Sequence, residues 1–178
     1  VANENLGMQI LYQNALSGSI INSDLIFRTI ERDRDSMIES LRLSASLDSL
    51  RSRDRDVMID IRNEIDRLDI VIVDKISKLV SQLTNSTAEY IKHNSEEHLE
   101  SLISVISKFK DELSQLDENI VAASKYVESA IEDLKSTKAQ SRIIEVIERL
   151  STLETHVTQL YIILLTTEGS AHQCKMTY

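Results

Sequence analysis

One hundred and fifty consecutive positions, 19 to 168, contain neither glycine nor proline. The whole chain of 178 residues has no proline and only three glycines, Gly7, Gly18 and Gly169. Sheet proteins turn every 8–12 residues or so, and Gly and Pro make most of those turns. A run this long without breakers excludes a β fold and suits helices that continue for many turns. The expected fold is all-α: an elongated antiparallel bundle of about four long helices with coiled-coil-like heptad packing, forming one helical domain over 1–178.

Apolar spacing gives the helices their places. From 94 to 136, apolar residues recur at Leu99, Leu102, Ile106, Phe109, Leu113, Leu116, Ile120, Ala123, Val127, Ala130 and Leu134. The unbroken alternation of three and four puts them on one helical stripe. Asn94-Ser-Glu-Glu97 supplies a capping box at its start. Apolar flanks at Ile103, Val105, Tyr126 and Ile131 widen the face, which fits a bundle of three or four helices better than a two-stranded rod. The small Ala123 and Ala130 call for a closely approaching helix or a larger side chain opposite. A second seam over 141–168 runs Ile143, Val146, Leu150, Leu153, Val157, Leu160 and Leu164, one residue out of phase with the first. The polar stretch Lys135–Ser141 therefore reads as a helix–helix connection. Gly169 reads as a C-terminal stop, with 169–178 as a tail.

A third stripe, over 53–84, comprises Met58, Ile61, Ile65, Leu68, Ile72, Ile76, Leu79 and Leu83. Its step from Ile72 to Ile76 is a stutter, which locally unwinds a helix relative to its neighbours. Thr84-Asn-Ser-Thr87 marks its expected end. The region 20–50 opens densely apolar and thins beyond Leu43, with a connection placed near Ser49–Arg53. Residues 3–17 form a short first helix with Leu6, Ile10, Leu11 and Ala15 on one side, ended by Gly18. One echo stands out: Arg32-Asp-Arg-Asp-Ser-Met-Ile38 matches Arg53-Asp-Arg-Asp-Val-Met-Ile59 at six of seven positions. Its offset of 21 is three heptads, which preserves helical phase.

The formal net charge of −9 argues against a nucleic-acid partner, which needs a concentrated basic face. The best basic run, Arg51-Ser-Arg53-Asp-Arg55, is interrupted by an acid. The apolar run Leu160–Leu165 is far too short to span a bilayer. A start at Val1 rather than Met suggests processing or a fragment, with a lean towards a secreted or surface protein. Asn85-Ser-Thr87 is a glycosylation sequon of the kind expected by chance. Cys174 is the one cysteine, so no internal disulfide or cysteine zinc framework exists. It reads as an incidental thiol in the tail, with an intermolecular disulfide as the sharper alternative.

No catalytic residues, cofactor site or metal site are assigned from the sequence. His93, Glu97 and His98 lie close together, but their order is not that of a metalloprotease and reads as a solvated helix cap. His156 sits at the boundary of the last seam. Asp74–Lys78, Lys108–Glu112 and Glu145–Arg149 have the spacing of ordinary i, i+4 pairs. Phosphate loops and nucleophile elbows need glycines that are absent here. The expected function is non-enzymatic: a helical interaction or structural protein that binds a protein partner or self-associates through its heptad faces. The alternative is a lipid-carrying amphipathic bundle.

Overall fold

A computed structural model describes residues 2–43 and 50–178, with side chains described for 6–42 and 50–178. Helix α1 spans Ala2–Leu43. Helix α2, Ser52–Ile70, passes through a π-helical turn at Val71–Ile76 into α3, Ser77–His93, so α2 and α3 form one rod. Helix α4, Glu96–Ala130, tightens into a 3-10 turn at Ile131–Asp133. Helix α5, Thr137–Lys175, completes the fold. Among the described residues there is no strand. At about 1.5 Å per residue, the 42 residues of α1 extend roughly 63 Å.

Cross-helix contacts fix the topology. Arg34 pairs with Asp69, and Arg62 donates to the Leu41 carbonyl, so α1 and α2 run antiparallel. Lys75 meets Glu112 at 3.8 Å. Lys110 meets Glu168 at 3.0 Å and Lys175 meets Glu100 at 2.7 Å, which sets α5 antiparallel to α4. His156 meets Asp33 and Ser40 donates to Glu145, closing α5 back onto α1. Four antiparallel rods thus enclose one continuous core.

The core is the set of seams read from the sequence. Leu99, Leu102, Ile106, Phe109, Leu113, Leu116 and Ile120 are fully buried on α4, and Ile143, Val146, Leu150, Leu153, Val157, Leu160 and Leu164 are buried on α5. Burying each such side chain is worth about 1.5–3 kcal/mol, which is why the stripes find one another. The stutter has a definite structural form. The Ser77 N–H bonds the Ile72 carbonyl, five residues back, and this wide turn keeps both Ile72 and Ile76 inside. A local π turn supplies the unwinding that a four-residue step demands. The echo also holds phase: Asp33 and Asp54 are both buried, as are Met37 and Met58. Ala123 is buried and Ala130 packs partly buried against the core, while a groove beside Ala123 is lined by Leu68, Val71 and Ala122.

The first helix departs from expectation. The segment 3–17 and the described part of 20–50, as far as Leu43, are one helix, and Gly18 does not end the first of them. Its inward seam is Gln9, Leu16, Ser23, Ile30 and Met37, spaced seven apart and all buried. Two polar residues at seam positions hid that periodicity. Leu6, Ile10, Leu11 and Ala15, read as one side of a short helix, are exposed. Of the stretch 44–56 expected to thin into a connection, 44–49 lie outside the described residues. Arg51 is extended and Ser52 starts α2, in keeping with a connection near Ser49–Arg53.

Other boundaries move as well. Thr84–Thr87 lies within α3, because Thr84 and Thr87 donate to the carbonyls of Val80 and Leu83 and so satisfy their hydroxyls without leaving the helix. Asn94 is not the N-cap of α4. It takes a left-handed conformation (φ 47°) after α3, and Ser95 caps α4 by accepting from the His98 N–H. Asn tolerates that conformation better than most residues. Gly169 lies inside α5, where Leu164, Thr167, Ala171 and Cys174 continue the buried stripe to the end of the bundle. The connection before α5 is Leu134–Ser136, shorter and earlier than the expected Lys135–Ser141, because Ser136 caps the new helix through the Ala139 N–H and α5 begins at Thr137.

Candidate interaction surface

The seams of α2 to α5 are closed within the chain, whereas α1 leaves an apolar stripe exposed. The outward face of α1 carries Gly7, Leu11, Asn14, Gly18, Ile21 and Leu25, all exposed and spaced 4, 3, 4, 3, 4. Leu11 and Ile21 are each 63 % exposed and Leu25 is 57 % exposed, with Leu6 and Ile10 beside them. This is a second heptad stripe, pointing away from the core. The glycines on it have no internal purpose. Neither has a positive φ, and a Cβ at Gly7 or Gly18 would meet nothing within 4 Å. Each costs the helix about 1 kcal/mol relative to alanine.

The neighbouring end of the bundle is held by a polar cluster. Gln13 donates to Asn94 Oδ1 at 2.9 Å. The Tyr178 hydroxyl lies 2.9 Å from the same oxygen and 3.0 Å from the Tyr90 hydroxyl. With one proton per hydroxyl, Tyr178 donates to Asn94 and accepts from Tyr90. Three rods thereby meet at the α3–α4 turn, which ties the left-handed Asn94 to α1 and to the residue beyond the end of α5. Burial holds the Tyr90 phenol above its ordinary range.

Cys174 is part of this end and not of a tail. It is fully buried on α5, and burial raises its thiol above the ordinary value, with Tyr90 acting in the opposite direction. An intermolecular disulfide would need the bundle to open. Native protein is expected to leave Cys174 unreactive to a soluble thiol reagent, with one thiol released on denaturation. The same shift has a stability consequence. Above the ordinary value of 9.0 the unfolded thiol loses its proton while the folded one keeps it, so stability falls as pH rises through that point. Cys174→Ala is expected to flatten that slope in alkaline denaturation curves.

Among the described residues, charged groups pair both across helices and along them. Glu112 takes Lys75, and Glu145 takes Arg142 at 3.6 Å and the Ser40 hydroxyl, in place of the i, i+4 partners expected from spacing. His156, expected at a boundary, forms a partly buried contact with Asp33. The groove between α4 and α5 is lined by Leu113, Val157 and Tyr161 but is open and rimmed by Asp117 and Glu118, which does not favour a lipid tail. Among the described residues, no helix is long and apolar enough to cross a membrane. His93 and His98 do come together at the α3–α4 turn, and their third neighbour is Glu89 where the sequence offered Glu97. Sequence spacing could have found Glu89, one turn before His93, but not the reversal that brings His98 to it. Set against known proteins, the chain matches no family model, no curated protein and no solved structure.

Proposed function

We propose that this is a non-enzymatic helical interaction protein that self-associates through the outward face of α1. The observation that carries the reading is the exposed stripe centred on Gly18. Leu11 and Leu25 stand seven residues to either side of it. A two-fold crossing at Gly18 would set Leu11 of one copy against Leu25 of the other, a self-complementary contact of the kind symmetric dimers use. Glycine at the crossing lets the two backbones approach closely, which gives a use to residues that cost α1 stability and do nothing for its own packing. Among the described residues the seams of α2 to α5 are buried inside the chain, which leaves this stripe exposed for a partner.

Sedimentation velocity over a range of concentrations tests the reading. The native chain is expected to show a monomer–dimer equilibrium, and Leu25→Glu to be monomeric. Gly18→Leu separates the two roles of the glycine: it is expected to raise the thermal midpoint, because its side chain enters open space and helix propensity improves by about 1 kcal/mol, while abolishing the dimer. A chain that stays monomeric at every concentration overturns self-association, as does a dimer indifferent to both variants.

A further inference from the structure

We propose that Glu89, His93 and His98 form a zinc-type divalent metal site that clasps the C-terminal end of α3 to the first turn of α4. Glu89 and His93 stand one helical turn apart near the end of α3, with Glu89 Oε2 3.1 Å from His93 Nε2. Two ligands held at zinc–ligand distances of about 2.0–2.1 Å in a tetrahedron lie about 3.3 Å apart, so this pair already has a chelating separation. The left-handed Asn94 then reverses the chain, and His98 returns against His93 with ring centroids 4.4 Å apart and planes 20° apart. One ligand atom from each of the three residues lies within 4.8 Å of the others. Small rotations of partly exposed side chains can converge them on one ion.

The surroundings suit such an ion. The Ser95 hydroxyl lies 2.6 Å from His98 Nδ1, which orients the ring and leaves Nε2 for a metal. Support of a ligating imidazole through its other nitrogen is the usual second contact in zinc sites. Two imidazoles and one carboxylate form a donor set for borderline transition ions, whereas Mg²⁺ and Ca²⁺ take oxygen ligands almost exclusively. Glu89 and His93 are exposed, so water can complete the coordination. The ligands come from two helices joined only by Asn94 and Ser95, so a bound ion would pin the same turn that the Gln13–Asn94–Tyr178 contacts hold from the other side.

The test uses full-length, untagged, chelator-treated protein titrated with Zn²⁺ by calorimetry and with Co²⁺ by visible absorption. One ion per chain is expected, with a d–d band for Co²⁺, a raised thermal midpoint with Zn²⁺, and no comparable binding of Mg²⁺. His93→Ala and Glu89→Gln, both at exposed positions that leave the fold intact, are each expected to weaken Zn²⁺ binding roughly tenfold or more. His172→Ala, at an exposed histidine outside the cluster, is expected to leave it unchanged. Absence of binding at millimolar Zn²⁺, equal binding of Mg²⁺, or binding insensitive to both ligand variants would overturn the site.

Discussion

Phe109→Ala is expected to lower the unfolding free energy by about 3–5 kcal/mol, a large part of the total for a domain of this size. Phe109 lies near the middle of α4 and is fully buried within the continuous core. Helix backbones on every side hold their spacing through the seams above and below it, so the cavity left by the ring cannot close by local collapse. Chemical denaturation followed by circular dichroism checks the value. The midpoint should fall with little change in the slope, since the same surface is exposed on unfolding. Ile103→Ala, on the partly buried flank of the same helix, is the internal comparison and should cost much less. A Phe109→Ala loss below that of Ile103→Ala would mean that the α4 stripe is not the packing axis of the bundle.

Asp54→Ala is expected to cost about 2–4 kcal/mol, because two hydrogen bonds to a buried carboxylate are lost and two partly buried backbone donors lose their partner. Asp54 is only 2 % exposed. Its two carboxylate oxygens accept from the Lys135 N–H at 2.9 Å and the Ser136 N–H at 2.8 Å. Those amides belong to the connection where the chain leaves α4 and resets its phase for α5. The carboxylate of one rod thus closes the turn between two others. Asp54→Asn keeps one acceptor oxygen and should lose roughly half as much, whereas Asp56→Ala, at an exposed position, should be near neutral. Thermal or denaturant unfolding of the three variants gives the order. If Asp56→Ala proved as damaging as Asp54→Ala, the turn-closing role would be wrong.

The echo in the Arg-Asp segments gains meaning from that comparison. Asp33 and Asp54 occupy the same phase in two heptad-related copies, and both are buried. One meets His156 midway along α5, and the other holds the amides just before α5 begins. Each stands one helical turn before a buried methionine, Met37 or Met58, so the same local spacing puts both on the inward face. Nothing in either copy indicated what each would meet, because the partners lie about 80 and 120 residues further along the chain.

The interaction surface on α1 was legible only in part. Leu6, Ile10 and Leu11 were visible as an apolar side, but the direction of that side was not. Two apolar-tolerant stripes compete on this helix. The inward one carries polar Gln9 and Ser23, and the outward one carries Leu11, Ile21 and Leu25. A hydrophobic pattern alone assigns the richer stripe to the core, which is the wrong way round here. The choice is made by the phase of the more C-terminal residues Phe27, Ile30, Met37 and Leu41, which dock against α5 and commit the rest of a rigid helix. The glycines were misread for a related reason. Gly18 and Gly169 looked like stops, yet a helix packed along its whole length can absorb about 1 kcal/mol per glycine and continue.

By itself the sequence determined the all-α class, the seams of the three rods that follow residue 50, the widened faces that call for a bundle, and the unwinding at Ile72–Ile76. Those features are periodic and local: spacing of three and four dictates one face, and one face dictates burial. Only the tertiary structure decided which face of α1 turns inward, where α1 and α5 end, that Asp54 closes the α4–α5 turn, and that His98 folds back beside Glu89 and His93. Each of these depends on what a neighbouring rod presents at the same height, and no periodicity along a single helix contains that information. The run of 150 residues without glycine or proline made long helices unavoidable; the register between them is set by packing.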